Sequence, residues 1–269
     1  MKERKIILDV QRLSISVQTE RGITQAVQEV SFQIEAGKVL GIVGESGCGK
    51  SMTCMSILGL LPVSARIDHG SMKLRGQELT DMTTNQLRHI RGRELSLVLQ
   101  NPMTAFNPAI TIGKQFIETL RTHAKLSQQR AKEMAIDCLK QMNLAEPERI
   151  LKQYPFELSG GMLQRIMIAL SLSMKPSLII ADEPTTALDN VNRHHVMEAF
   201  RSIKAAGHTS ILLVSHDLSV IAGLADHIMV MKDGLIVEQG DADRLMAEPK
   251  HEYTKMLWDA RLTVNSRNE

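Results

Sequence analysis

Along the opening of the chain, apolar positions first alternate with polar ones and then run unbroken, which separates half-buried strands from fully buried ones. Residues 6–17 alternate in part, and after the Glu20-Arg21-Gly22 turn the pattern returns over residues 26–34, predicting antiparallel β-structure. A turn at Glu35-Ala36-Gly37-Lys38 leads into Val39-Leu40-Gly41-Ile42-Val43, a continuous apolar run of strand length, and residues 52–61 carry the spacing of a buried helix. Residues 70–79 read as a hairpin strand and residues 95–100 as a buried strand ending on Gln100. From Pro102 to Tyr154 the texture is helical, with one helix over 112–124 and another from Ser127, its N-cap, to Met142. Ser159 caps a third helix over 160–174. Residues 178–181 and 210–215 are short apolar strands on either side of an amphipathic helix over 190–206, and strand and helix are expected to alternate to the end. The whole predicts an α/β protein: a mainly parallel sheet covered on both faces, an antiparallel β-region at the start and an inserted helical unit.

Candidate chemistry begins where the apolar run meets the first helix. Gly44-Glu45-Ser46-Gly47-Cys48-Gly49-Lys50-Ser51 satisfies G-x-x-x-x-G-K-[ST] at every fixed position, in the strand–loop–helix setting that a phosphate-binding loop requires. Its three glycines let the backbone curl so that successive N–H groups face one point, where the following helix aims its positive end. A triphosphate fits that concavity, with Lys50 reaching the β- and γ-phosphates and the Ser51 hydroxyl ligating Mg²⁺. The strand over 178–181 delivers Asp182 and Glu183 at its C-terminal end, where ligands bind in open α/β sheets. Beside a phosphate loop, Asp182 is read as holding Mg²⁺ through its water shell and Glu183 as the general base that orients or deprotonates water. Taken alone, the pair reads equally well as a solvated strand end or a helix cap. Leu158-Ser159-Gly160-Gly161-Met162-Leu163-Gln164 sets a Ser cap and two glycines at the mouth of a helix, exposing N–H groups and positive dipole to an anion.

Composition narrows the classes. The chain has 269 residues, 43% hydrophobic and 23% charged, enough for one large α/β domain with a helical insertion or for two small domains. A formal net charge of +2 supplies no basic field for a nucleic-acid partner, so none is expected. The apolar run after the charged start is broken at Asp9, so no signal peptide is expected, and the longest membrane-like stretch, 166–174, is far shorter than the roughly 20 residues a spanning helix needs. A cytosolic protein that reaches a membrane only through partners is the expectation. Cys48, Cys54 and Cys138 form no C-x-x-C pair and read as reduced thiols. Cys48 lies within the loop, where an alkylator could block nucleotide, but a small variable loop residue is the plainer reading. His194 and His195 are adjacent on a helix and so point about 100° apart, which argues for a solvated face rather than a metal site.

The loop at 44–51, Gln100, the 158–164 stretch, Asp182-Glu183, Ala187-Leu188-Asp189 and His216 occur in the order found in ABC-transporter ATPases, and the chain resembles that family over nearly its whole length. The resemblance implies a P-loop NTPase of the ABC type. Its RecA-like core with the antiparallel β-subdomain would take residues 1–100 and 177–240, a helical signature subdomain 101–176 and a helical tail 241–269. By position it implies that Gln100 senses Mg²⁺ and water and couples to a transmembrane subunit, that Asp189 lies in the loop crossing the dimer interface, and that His216 contacts the γ-phosphate. Ser159, Gly160 and Gly161 would close on the nucleotide of the opposite subunit. ATP and Mg²⁺ are the implied cofactors. One departure stands out: the family's adenine-stacking aromatic, a contact worth about 1–3 kcal/mol for a nucleobase, has no counterpart over 20–27, where Arg21, Ile23 or Val27 is left to meet the base.

Two segments are similar to the peptide and nickel importer branch: Asn101-Pro102 through Phe106-Asn107-Pro108, and Glu248-Pro249-Lys250-His251-Glu252-Tyr253-Thr254. Within that branch, Met162-Leu163 after the two glycines resembles nickel and metallophore ATPases, whereas peptide-type members more often have Met-Arg or Met-Cys there. Peptide-type members also tend to carry a cysteine-bearing C-terminal extension, and here no cysteine follows Cys138. The implied function is the ATPase of a binding-protein-dependent importer of nickel or another transition metal, free or chelated, with a di- or oligopeptide importer as the alternative. The implied partners are a second, homologous ATPase forming a heterodimer, two transmembrane permease subunits and an extracytoplasmic substrate-binding protein, at the cytoplasmic face of the inner membrane. A DNA-repair ATPase of this fold would carry a long coiled coil between the loop and Leu158, a ribosomal one would hold two ATPase units, and a small-molecule kinase would leave 158–164 unexplained.

Overall fold

The computed structural model describes residues 5–186 and 188–265, so Ala187 lies outside the described residues. In chain order the elements are β1 (Ile6–Thr19), β2 (Gly22–Glu35), β3 (Val39–Val43), α1 (Lys50–Leu58), β4 (Ala65–Leu74), β5 (Gln77–Glu78) and α2 (Thr84–Ile90). These are followed by β6 (Leu95–Val98), α3 (Ile112–His123), α4 (Gln128–Gln141), α5 (Pro147–Ile150), α6 (Gly160–Leu172), β7 (Leu178–Asp182) and α7 (Asn190–Ala206). The last stretch is β8 (Ser210–Val214), α8 (Leu218–Ala222), β9 (His227–Lys232), β10 (Leu235–Asp241), α9 (Ala242–Ala247) and α10 (Glu252–Asn265). The chain forms two compact units, one running to His89 and resuming at Ser210, the other from Ile90 to Thr209.

In the first unit, β2-β1-β4-β5 is an antiparallel sheet. Its alternation is irregular because β1 and β2 bulge, with Arg12 (φ 46°) and Glu29 (φ 50°) in left-handed backbone and register shifts around Leu13. Gly70 meets that bulge from β4: a Cβ there would lie 2.7 Å from the Leu13 Cα. The same unit holds β10-β9-β3-β8, parallel from β9 through β3 to β8 and antiparallel at β10. All five residues of β3 and of β8 are buried, which is why both read as unbroken apolar runs rather than alternating ones. Helix α8 covers β3 so closely that a Cβ on Gly41 would stand 2.5 Å from Ile221.

In the second unit, β6 and β7 pair in parallel, from Leu95 opposite Leu178 to Val98 opposite Ala181. Helix α6 packs against β6, α4 and α7, and buries Leu163, Ile166, Met167 and Ile168, each worth about 1.5–3 kcal/mol of transfer energy when fully buried. Ser127 Oγ accepts the Arg130 N–H at 3.2 Å and caps α4 as the pattern predicts.

Several boundaries differ from expectation. Helix α1 begins at Lys50 and stops at Leu58, not Leu61, because Gly59 turns left-handed (φ 61°) and returns its N–H to the Met55 and Ser56 carbonyls. The strand expected over 70–79 begins at Ala65 and breaks at Arg75-Gly76, whose positive φ angles make the turn into β5. Strand and helix do not alternate to the end: β9 and β10 form an antiparallel hairpin around Asp233-Gly234, followed by two helices. The hydrophobic pattern does not predict α2, which has no buried residue and so no apolar face to read. Among the described residues no helix is long and apolar enough to cross a membrane.

Candidate functional site

The loop from Gly44 to Ser51 leaves the end of β3 and enters α1, as its sequence requires. Gly47 answers to its φ (85°) alone, whereas Gly44 and Gly49 answer to crowding as well. A Cβ on Gly44 would stand 2.2 Å from the Met231 carbonyl oxygen, and one on Gly49 (φ 103°) would stand 2.4 Å from that of Ala26. The loop is therefore walled by β9 and β2, and the turn after β9 adds a bond from the Gly234 N–H to the Cys48 carbonyl (3.2 Å). Glu45, Ser46 and Gly47 face solvent, while Cys48, Gly49 and Lys50 are buried.

Lys50 is 6% exposed, and its ammonium donates to the Gly44 (2.7 Å) and Glu45 (2.8 Å) carbonyls. Two of its three N–H bonds thus hold the curl of its own loop and bring the charge to the loop's mouth. The Cys48 sulfur lies 3.8 Å from the same ammonium; burial raises this thiol's pKa and the lysine pulls the other way. With α1's N-terminus behind it, the loop can hold an anion of several charges. Val27, one of three side chains expected to meet the base, is fully buried and backs Gly49; Arg21 and Ile23 are exposed.

His216 follows β8 in the same unit. The β3–β8 register runs from Val39 opposite Ile211 to Ile42 opposite Val214, and the Ser215 N–H donates to the Ile42 carbonyl (3.1 Å). That register sets His216, which is exposed, next to the strand end from which the loop springs.

The second unit carries the remaining candidates. Asp182 ends β7, and Glu183, in left-handed backbone (φ 52°), follows it with its carboxylate receiving the Thr186 hydroxyl at 2.5 Å. A non-glycine residue in that conformation is uncommon and costs about 1–3 kcal/mol. Gln100 is exposed just past β6, at a turn braced by α6: Gln164, 1% exposed, donates to the Leu99 carbonyl at 3.2 Å. At the start of α6, Ser159 Oγ accepts the Met162 N–H (3.2 Å), and Ser159 and Gly160 are exposed while Gly161 is buried against α7. Asp189 caps α7 through Asn192, whose backbone N–H (2.8 Å) and amide (2.7 Å) hold its carboxyl below the usual carboxylate range. The His194 and His195 rings lie 6.3 Å apart at 62° to one another. Among the described residues no three His, Cys, Asp or Glu side chains are grouped to hold a metal.

Residues 27–186 match the ABC transporter family. The chain belongs to that family. It is an ATPase coupled to transport, and its relatives are ATP-binding proteins of import and transport systems. It is 44% identical to the metal-staphylopine import ATP-binding protein CntD of Staphylococcus aureus, over 89% of this chain and 88% of that protein. It is 42% identical to the dipeptide transport ATP-binding protein DppD of Bacillus subtilis, over 93% of this chain and 75% of that protein. Its fold is similar to that of MJ0796, an ATP-binding cassette solved as a dimer with ADP and Pi, with a TM-score of 0.78 and 25% identity over 87% of this chain and 98% of that one.

Three contacts of this cassette are not legible in its motifs. Tyr253 accepts the Glu45 N–H, Asn192 fills the space beside Gly161, and Thr186 holds Glu183. Only Tyr253 lies in a segment that the sequence singles out, and there the signal concerns kinship with an importer branch, not the nucleotide.

Proposed function

We propose that this ABC ATPase powers uptake of a transition metal carried as a chelate. The observation that carries the proposal is the 44% identity to a metal-staphylopine import ATPase along nearly the full length of both chains. Met162-Leu163 after the two signature glycines points the same way. The 42% identity to a dipeptide transport ATPase keeps di- or oligopeptide uptake as the second reading.

In the proposed mechanism the loop at 44–51 holds the triphosphate by its N–H groups and Lys50. Ser51, Asp182 and Gln100 offer hydroxyl, carboxylate and amide oxygens, a hard donor set that fits Mg²⁺, which when bound neutralises charge on the β- and γ-phosphates. Glu183 orients and deprotonates the attacking water, with its carboxylate steered by Thr186. His216 contacts the γ-phosphate. Ser159, Gly160, Gly161 and Asp189 serve the nucleotide of a second, homologous ATPase; exposure of Ser159, Gly160 and Asp189 leaves them open to such a partner. Closure of the two ATPases drives two permease subunits through the surface near Gln100, at the cytoplasmic face of the inner membrane, while an extracytoplasmic binding protein delivers the cargo.

The test is ATPase activity of the assembled complex with its binding protein loaded with Ni²⁺, a metal–chelate or a short peptide. Stimulation by the metal–chelate alone is expected; stimulation by peptide alone overturns the cargo and leaves the ATPase chemistry intact. In the same complex Glu183→Gln is expected to lower turnover by about 10²–10⁴-fold while ATP still binds.

A further inference from the structure

Tyr253 sits far along the chain from the phosphate loop and yet touches it. It is 5% exposed, and its hydroxyl oxygen accepts the backbone N–H of Glu45 at 3.0 Å. That N–H and the Gly44 carbonyl are the two ends of one planar peptide unit. The carbonyl end receives the Lys50 ammonium at 2.7 Å. A single peptide plane is therefore gripped from both sides, by the tyrosine hydroxyl on its donor end and by the lysine on its acceptor end.

The tyrosine is itself held by two contacts and by the anchoring of the segment before it. The Glu238 carboxylate on β10 accepts the Lys250 N–H (2.9 Å) on one oxygen and the His251 N–H (3.1 Å) on the other, which ties down the segment entering α10. His251 Nδ1 accepts the Tyr253 N–H at 3.1 Å, and the Lys232 ammonium stands 5.1 Å from the ring centroid. The loop's nearest neighbours at Gly44 and Gly49 are the carbonyl oxygens of Met231 and Ala26, with the Met231 and Val27 side chains behind Gly49, and Cys48 receives the Gly234 N–H on its carbonyl. At Glu45 the grip comes from a side chain.

We infer that Tyr253 is a positioning residue for the nucleotide site, setting the tilt of the Gly44–Glu45 peptide and through it the direction in which Lys50 presents its charge to the phosphates. The inference rests on the reading of 44–51 as the loop that takes those phosphates. Rotation of the peptide plane moves the carbonyl that anchors Lys50, so losing the hydroxyl weakens nucleotide binding without removing any group that touches nucleotide. Burying the ring is a separate matter: phenylalanine fills the same space.

The experiment compares the full-length wild type with Tyr253→Phe and Lys50→Ala. ATP affinity and steady-state KM and kcat are measured, together with amide hydrogen exchange at Glu45. Tyr253→Phe is expected to raise the Kd and KM for ATP about tenfold, the equivalent of about 1.4 kcal/mol, with kcat nearly unchanged because the lost interaction serves ground state and transition state alike. The Glu45 amide is expected to be protected in the nucleotide-free wild type and to exchange faster in the variant, while the β3 amides stay protected. An unchanged ATP affinity in Tyr253→Phe overturns the inference. So does a wild-type Glu45 amide that exchanges like an open loop, a result that needs no variant to fold. If Lys50→Ala loses ATP and Tyr253→Phe does not, the tyrosine's role alone fails; if Lys50→Ala binds ATP normally, the phosphate-loop reading fails first.

Discussion

Gly160 and Gly161 are neighbours in one motif, and the structure assigns opposite consequences to the same substitution at each. A Cβ on Gly161 would fall 2.1 Å from both Cγ and Oδ1 of Asn192 and 2.6 Å from its Cβ, whereas one on Gly160 would meet nothing within 4 Å. Rotating the Asn192 amide away would clear the first two contacts and sacrifice its bond to Asp189 (2.7 Å), but no rotation moves its Cβ. Helices α6 and α7 must therefore shift apart in Gly161→Ala. Overpacking of this kind costs about 1–3 kcal/mol, against a gain of roughly 0.5–1 kcal/mol for alanine over glycine in a helix. The net is a loss of up to about 2.5 kcal/mol, or a Tm lower by up to roughly 10 °C at the 2–4 °C per kcal/mol of larger chains. Gly160→Ala keeps the helical gain with no clash and is expected to match or exceed wild type. Thermal unfolding of the two single variants, followed by circular dichroism, reads the difference directly. A Gly161→Ala protein that unfolds at or above Gly160→Ala refutes the packing account. Asn192→Gly, which removes the offending Cβ, is expected to restore Gly161→Ala more fully than Asn192→Ala does, and the double-mutant cycle measures that coupling.

Asp226 accepts the N–H of buried Val39 at 2.9 Å and the Lys38 ammonium at 3.1 Å, so Asp226→Ala strands a buried donor at the start of β3 and is expected to cost about 1–3 kcal/mol in urea unfolding; a loss under half of that would show that Val39 finds another acceptor. Burial works to raise the pKa of Glu238, but the hydrogen bonds it accepts prevail and hold it below the ordinary glutamate value. A carboxylate lowered by folding stabilises above its unfolded pKa, so the anchoring of residues 250–251 is expected to persist above about pH 4.3 and to weaken as the pH falls through the folded value; Glu238→Gln should flatten that limb of the stability–pH curve. Burial, with Asp137 adding, pushes the Cys138 thiol up to about 11, so its alkylation by iodoacetamide should rise about tenfold per pH unit from pH 7 to 9, and a plateau in that interval would contradict the assignment.

What was readable in the sequence is what local physics dictates. The 44–51 loop announces itself because glycine tolerance, a lysine and a hydroxyl are demanded within eight consecutive residues between a buried strand and a helix. Ser127 and Ser159 were legible for a similar reason: each cap bonds an N–H three residues on, at Arg130 and Met162, whereas the same bond from Asp189 to Asn192 emerged only in the structure. The end of α1 was missed because Leu60 and Leu61 continue the apolar spacing beyond Gly59, and periodicity carries no information about a left-handed cap. The bulges at Arg12 and Glu29 were equally silent, since their contacts lie across the sheet: Gly70 against Arg12 and Leu13, and the Ser14 hydroxyl receiving the Glu29 N–H.

The contacts that shape the candidate site's backbone are of that second, non-local kind. Gly44 needs to be glycine for its φ and also because Met231, from another strand, leaves no room for a side chain; the motif records the requirement but not its author. Glu45 is a free position in the motif because its side chain faces solvent, yet its backbone N–H is spoken for by Tyr253. A pattern written in side chains has no symbol for an obligation carried by the main chain. Such a position tolerates substitution at Glu45 itself and is sensitive at its partner. Glu45→Ala should therefore leave ATP affinity within about twofold of wild type, since it preserves the N–H that Tyr253 receives, and a tenfold loss there would transfer the weight from the peptide plane to the glutamate carboxylate.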